Sequence, residues 1–271
     1  MRKRTLLSLL KFLGYYKHKL NKTKMSAKII KLDGSEKSMI PLIREGINAI
    51  KSPKNGQSLV ALEEFSAGTG ISDLTIFTID KTTLSKRQDT KLPAVTSRTH
   101  LEVLIELLSQ EAASASDIHQ HLKKYSLSVI ESSLETLKRQ SIVCLNAGGA
   151  YEPCMDLRVP IANEIVAIEA KVRDWRSGLR QAMRYQEFAD QSYLAIYQKH
   201  LAGCLEHAKL FESLGIGLIS VSDEGIKVHI KATSCNAQRT AKLLAAERCL
   251  SLAYEGYEPF KVRNNLVANN A

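Results

Sequence analysis

Glu169 and Lys171 close the run Ile165-Val166-Ala167-Ile168, which is apolar enough for a sheet interior. Residues two apart on a strand share a face, so this carboxylate and this ammonium point the same way. A charge at the end of a buried strand is costly unless it is paired or bound to an ion. An earlier strand-like run, "ISDLTIFTID" (71–80), carries an acid of its own, Asp73. Carboxylates from two neighbouring strands supply the hard oxygens that Mg²⁺ or Mn²⁺ accepts, with water and a substrate phosphate completing the shell. A lysine beside them can hold and polarise an attacking water and offset charge building on phosphorus. The chemistry would be metal-assisted phosphodiester hydrolysis. The competing reading is a plain Glu169–Lys171 ion pair at a sheet edge. Asp89-Thr90-Lys91 repeats the spacing, but within a polar stretch that ends no hydrophobic strand.

The segment after Lys171 adds Arg173, Arg176, Arg180 and Arg184, with Asp174 the only acid before Arg184. Clustered guanidinium groups suit a phosphate backbone. The alternative is a solvated helix face on which Arg184 pairs with Glu187 or Asp190. Gln181 and Tyr185 lie one turn apart on one face of this helix, with Leu179 and Met183 roughly opposite. Trp175, the sole tryptophan, reads as a packing residue at its start.

The elements that must position these residues follow from periodicity. Met39, Ile40, Ile43, Ile47 and Ile50 have helical spacing over 38–50. "SLVALEEF" (58–65) and 71–80 read as a hairpin joined by "SAGTG". Residues 81–97 are polar and read as a linker. Over 99–152, Leu101, Leu104, Ile105 and Leu108 mark one helix. Ser114 with Asp117, and Ser128 with Glu131, read as capping boxes opening two more, the last near 129–139. "SIVCLNAGGAYEP" then gives a small hairpin. After Pro160 come the strand ending in Lys171, a helix over 177–190, a strand over 192–197 and a helix over 201–213. Two further strands and a long last helix complete an α/β chain with a mixed sheet. The end, "VRNNLVANNA", reads as frayed.

Charge is unevenly placed. The chain of 271 residues carries a formal +10. Eight basic residues and no acid lie in 1–24, leaving 30 basic against 28 acidic side chains in 25–271. The segment 1–24 thus reads as a basic amphipathic tail, or as an extension ahead of a start at Met25. Hydrophobic content of 44% fits a globular chain, and no run approaches membrane-spanning length. Five scattered cysteines without CxxC or zinc spacing imply reduced thiols and a cytoplasmic setting. The sequence has no GxxxxGK[ST], GxGxxG or GxSxG signature. His119 and His121, two apart on a helix, diverge and make a poor metal pair.

"GISDLTIF", "VAIEAK" and "GLRQAMRYQEFADQSYLAI" together resemble the PD-(D/E)xK, or restriction-endonuclease-like, nuclease superfamily. The resemblance implies an α/β fold with a mixed sheet flanked by helices. It implies Asp73 and Glu169 as metal ligands with the Ala170 carbonyl as a further one, Lys171 as the residue activating water, and Gln181 and Tyr185 as substrate-orienting residues. Ser72 stands where the motif's proline would be, and proline is not a ligand. The three helices and hairpin resemble a winged helix-turn-helix inserted between the second and third core strands. The implied organisation is a tail over 1–24, a discontinuous nuclease-like core over 25–96 and 153–271, and the insertion over 97–152.

The expected function is a Mg²⁺- or Mn²⁺-dependent nuclease acting on nucleic acid, DNA ahead of RNA. Arg173, Arg176, Arg180 and Arg184 would contact phosphates, joined by Lys138 and Arg139 of the insertion. The alternative is a non-catalytic DNA-binding or regulatory protein on the same fold. A third reading gives the insertion to homodimerisation or a protein partner.

Overall fold

The computed structural model describes residues 31–254 and the short strand 260–261. The basic segment 1–24 and the end "VRNNLVANNA" lie outside the described residues. A seven-stranded mixed sheet organises the chain. Its strands are β1 (Gln57–Ser66), β2 (Ile71–Asp80), β5 (Ala162–Lys171), β6 (Gln191–Tyr197), β7 (Gly217–Ser222), β8 (Gly225–Ile230) and β9 (Phe260–Lys261). They lie in the order β8-β7-β6-β5-β2-β1-β9. β5 therefore takes the central position, which is why its sequence is a nearly unbroken apolar run rather than an alternation. It is parallel to β6, which is parallel to β7. It is antiparallel to β2, and the β1–β2 and β7–β8 pairs are antiparallel hairpins.

Helices cover both faces. On one, Met39, Ile43 and Ile47 of α1 (Glu36–Glu45) and α2 (Ile47–Ile50) pack against Leu74, Ile76, Val166 and Ile168. On the other, Tyr185 of α7 (Trp175–Tyr185), the following Phe188, and Ala245 and Cys249 of α10 (Arg239–Tyr254) pack against Phe77, Ile79, Ile165 and Ala167. The alternation along β5 assigns its odd-numbered side chains, including Glu169 and Lys171, to the α7 face.

Three sequence readings are corrected. The supposed linker over 81–97 begins with a helix, α3 (Lys81–Asp89), whose N-cap Asp80 accepts from the Thr83 N–H at 2.7 Å. It shows no apolar stripe because it buries only Leu84 and the charged Arg87. The helix expected over 177–190 ends at Tyr185. The helix expected over 201–213 is two pieces, α8 (Ala202–Leu205) and α9 (Ala208–Leu214), and the His207 ring between them packs at a tilt against Trp175 with centroids 4.8 Å apart.

The excursion between β2 and β5 leaves and returns at one place, since the Asp80 N–H donates to the Ile161 carbonyl at 3.0 Å. Within it, α4 (Arg98–Gln110), α5 (Ala115–His121) and α6 (Leu127–Arg139) precede the ribbon β3 (Val143–Leu145) and β4 (Tyr151–Pro153). Ser114 and Asp117 make both bonds of their capping box. Ser128 does not cap α6; the N-cap is Ser126, without a side-chain bond to the helix. Leu104, Ile118, Ile130, Leu134 and Val143 form the core of this segment, and Leu243 and Leu244 of α10 complete it. The segment thus shares its core with the sheet body instead of closing one of its own.

Candidate functional site

The β2–β5 ladder runs from Ile79↔Ala162 to Leu74↔Ile168 and stops there. Continued by one residue, the register sets Asp73 opposite Glu169, on the α7 face. In an antiparallel pair, alternate residues turn both backbone groups toward the partner strand. Ala170, in phase with Val166 and Ile168, turns toward β2 just where the ladder has ended. The Asp73 carboxylate takes the place of the missing backbone acceptor, its Oδ2 receiving the Ala170 N–H at 2.7 Å. The Ala170 carbonyl leaves the strand on the same side. Asp73 and Ala170 thereby meet where the ladder ends, and the charge of Glu169 acts on Asp73 there.

Glu169 is 2% exposed and held on both oxygens. Lys171 Nζ donates to Oε1 at 2.7 Å, and the Tyr185 hydroxyl lies 2.6 Å from Oε2. The same hydroxyl lies 2.6 Å from the Ile71 carbonyl, so Tyr185 ties β5 to the start of β2. Tyr185 is fully buried. With its ring buried and its hydroxyl between Glu169 and Ile71, Tyr185 offers no exposed surface for the substrate-orienting role expected of it. Gly70 lets the chain pass this close: its φ is +143°, and a Cβ there would sit 3.3 Å from the Tyr185 ring. Gln181 is half-buried one turn earlier on α7, with no hydrogen-bond partner among the described residues.

Lys171 also reaches Glu36, in the first turn of α1, at 3.4 Å. Sequence reasoning missed Glu36, because an acid in the first turn of a helix ordinarily serves the helix dipole. Gly178 of α7 packs directly on this lysine. A Cβ at 178 would lie 2.5 Å from Leu194 Cδ1 and 2.7 Å from Lys171 Cγ, so only glycine lets the helix sit at this depth.

Three carboxylates thus face one ammonium. Burial, and then the charge of Glu169, push the Asp73 carboxyl up to about 6 against the pull of the Ala170 N–H bond. Burial alone would lower the Lys171 ammonium, but its bond to Glu169 and the charges of Glu169, Glu36 and Asp73 outweigh this and hold it above its ordinary value. Lys171 therefore stays protonated and can donate to water or phosphate, but it cannot take a proton from water at neutral pH. Asp73 and Glu36 open on a cleft of about 1020 Å³ between α1, β1 and α10, whose wall also carries Lys37 and Arg248.

Among the described residues, no three His, Cys, Asp or Glu side chains form a ready metal-holding group. The donor set is instead two carboxylates and a carbonyl. That set would suit a hard ion retaining several waters.

Arg173, Arg176, Arg180 and Arg184 are all exposed, the last three as a stripe along α7. The Arg176 guanidinium stacks 4.5 Å over the Trp175 ring, and Trp175 packs as expected. Arg184 does not pair with Glu187 or Asp190, since these bind Arg98 at 3.2 Å and Lys242 at 2.7 Å. Lys138 and Arg139 lie at the far end of α6 and bond locally, to Glu135 and Thr136. The structure does not bring them among the strand-end residues. His119 and His121 do not converge, and His121 pairs with Glu106 at 2.6 Å. Among the described residues no helix is long and apolar enough to cross a membrane. Compared with known proteins, the chain significantly matches no family model, no curated protein and no solved structure.

Proposed function

We propose that this chain is a divalent-metal-dependent nuclease on a restriction-endonuclease-like core, acting on nucleic acid and foremost on DNA. One observation carries the reading: Asp73 from β2 and Glu169 and Lys171 from β5 meet where the sheet opens, with an excess of negative charge beside a cleft. Asp73, Glu169 and the Ala170 carbonyl would hold Mg²⁺ or Mn²⁺. Such an ion would lower the pKa of a bound water and act as a Lewis acid toward the phosphoryl oxygens.

The chain's own residues have separable roles. Tyr185 and Lys171 fix the Glu169 carboxylate, so its geometry is set before anything binds. Lys171, kept cationic, donates to the attacking water or to a phosphate oxygen. The arginine stripe on α7 receives flanking phosphates, and its planar guanidinium forks can donate to two phosphate oxygens at once. The three helices and ribbon over 98–153 support a winged-helix reading, with duplex contact or a protein partner, a second copy included, as its task.

A second reading has a specific observation behind it. Both Glu169 oxygens are already engaged, as they would be in a nucleic-acid-binding protein that performs no hydrolysis. Incubating the protein with supercoiled and linear duplex DNA, single-stranded DNA and RNA in Mg²⁺, Mn²⁺ or EDTA separates the two. Cleavage that EDTA abolishes is the expected result. Salt-sensitive binding without cleavage in any metal would leave only the second reading.

A further inference from the structure

The strand-end residues are recessed. Glu169 is 2% exposed, the Lys171 side chain is 14% exposed, and Asp73 is half-buried. Asp73 opens on the cleft of about 1020 Å³, so a phosphate reaches it by entering the cleft rather than by lying across the surface. Thr96, on the way into α4, adds to the wall built by α1, β1 and α10. A few nucleotides of one strand fit such a volume, but the stacked width of a duplex does not.

Charge on the cleft walls is mixed. Lys37 and Arg248 can donate to phosphate oxygens, whereas β1 contributes Glu63 and Glu64. The β1 backbone turns both acids outward: Leu62 and Phe65 enter the same core, while the two residues between them are exposed. Glu64 takes up this break in the pleat with φ at +49°, a conformation uncommon for a residue with a side chain. It falls between the pairs Glu63↔Leu74 and Phe65↔Ser72, which sets it across the ladder from Asp73. Glu63 is paired with Arg44, but Glu64 enters no ion pair among the described residues. Outside the cleft, Arg176, Arg180 and Arg184 recur every four residues and are exposed. Each stands about 6 Å further along the axis of α7 than the one before. Over 25–271 there are 30 basic and 28 acidic side chains, so this line is not part of a broad positive excess.

We infer that the strand-end site takes single-stranded nucleic acid, one strand entering the cleft past Lys37 and Arg248 while flanking phosphates follow the α7 arginines. The inference rests on the nucleic-acid reading of that site and adds the strandedness of the substrate. The recess admits one backbone to Asp73. The open charge of Glu64 repels the phosphates of a second strand. A straight row of guanidinium groups follows an extended chain more closely than the winding edge of a duplex.

The test uses one end-labelled DNA oligonucleotide in three forms: alone, as a blunt duplex, and annealed to a shorter complement that leaves an overhang. Each is incubated with the full chain in Mg²⁺ or Mn²⁺, and affinity is read by fluorescence anisotropy in EDTA. The single strand and the overhang should be cut while the blunt duplex persists over the same time. The single strand should also bind more tightly. Combining Arg176→Gln, Arg180→Gln and Arg184→Gln should make its salt slope shallower by about 2, at about 0.7 per lost phosphate contact. Glu64→Gln should narrow the gap between the two forms by strengthening duplex binding. Equal cutting of blunt duplex and single strand would overturn the inference and leave the nuclease reading standing. If no form is cut, tighter binding of the single strand still supports the inference and removes only the hydrolysis. Equal or tighter binding of the duplex overturns it.

Discussion

Two places in this molecule bury charge, and they do so in opposite ways. Arg87 of α3 and Glu247 of α10 are 5% and 3% exposed and meet at 3.2 Å. The guanidinium also donates to the Leu92 and Pro93 carbonyls, at 2.9 and 2.6 Å, and the carboxylate accepts the Val95 N–H at 2.8 Å. One acid meets one base, and of their buried polar atoms only Arg87 Nε lacks a partner. At the end of β5, by contrast, three acids share one lysine and one of them sits at about 6. A closed pair pins three segments together and leaves nothing for a ligand to do. An open, unbalanced cluster keeps negative charge that a cation can neutralise. That difference, more than burial itself, separates a structural charge from a candidate site.

The sharpest way to break the comparison is to remove one partner from each cluster. Glu247→Ala should cost about 3–5 kcal/mol in denaturant unfolding, because Arg87 is left buried and unpaired. Asp73→Asn should cost at most about 1 kcal/mol, since it removes a charge from a crowded site while an amide oxygen can still accept from Ala170. Equal losses would mean that both clusters are structural. Next in size is Lys171→Ala, expected to lower metal-dependent cleavage by about 10²–10³-fold while calorimetry still registers ion binding. Asp73→Ala should weaken that binding instead, and Lys171→Arg should not restore cleavage. Wild-type-like turnover by Lys171→Ala would remove the lysine from the mechanism.

Tyr185→Phe should cost about 1.5–3 kcal/mol in thermal or chemical melts, the usual worth of a hydrogen bond to a charged group. Its nucleic-acid binding should be unchanged, because the ring is buried.

The smallest effect is on pH dependence, and its sign separates two regions. Asp73 rises from 3.8 to about 6 on folding, so the native state binds the proton more tightly. Its contribution to stability therefore falls as pH rises through that window and is flat above it. Glu102 of α4 behaves oppositely. Burial would raise its carboxyl, but bonds from Lys124, Tyr125 and Arg98 outweigh this and lower it. Its contribution is therefore present above about pH 4.5 and is lost as pH falls further. Melts of wild type and Asp73→Asn between pH 4 and 7 should differ in slope, and saturating Mg²⁺ should shrink the difference. Identical slopes would show that Asp73 does not titrate as described.

The sequence revealed most where local pattern and tertiary role agree. The central strand was legible because burial on both faces leaves an apolar run, and Glu169 and Lys171 stood out against it. Asp73 was legible only through its strand, since the ladder break that turns it toward Ala170 leaves no local mark. α3 was hidden because its buried face is a salt bridge to a residue 160 positions away. Glu36 was hidden because its partner comes from the middle of the sheet. Tyr185 was read as facing away from Leu179 and Met183, yet Tyr185 and Leu179 are both buried while Met183 is exposed, because the burial of Tyr185 depends on Phe188 and the turn at Gly70, which periodicity does not report.

Gly178 gives experimental leverage of another kind. Every substitution considered above alters charge or hydrogen bonding, so chemistry and position change together. A single methyl at 178 adds no charge, removes no donor, and would still press on the stem of Lys171 and on Leu194. Gly178→Ala is therefore a mechanical wedge: it forces α7, Leu194 or the Lys171 stem to give way while the ammonium's identity stays the same. Set against Lys171→Ala, it measures how steeply the site's performance depends on where that cation stands, rather than on whether it is there.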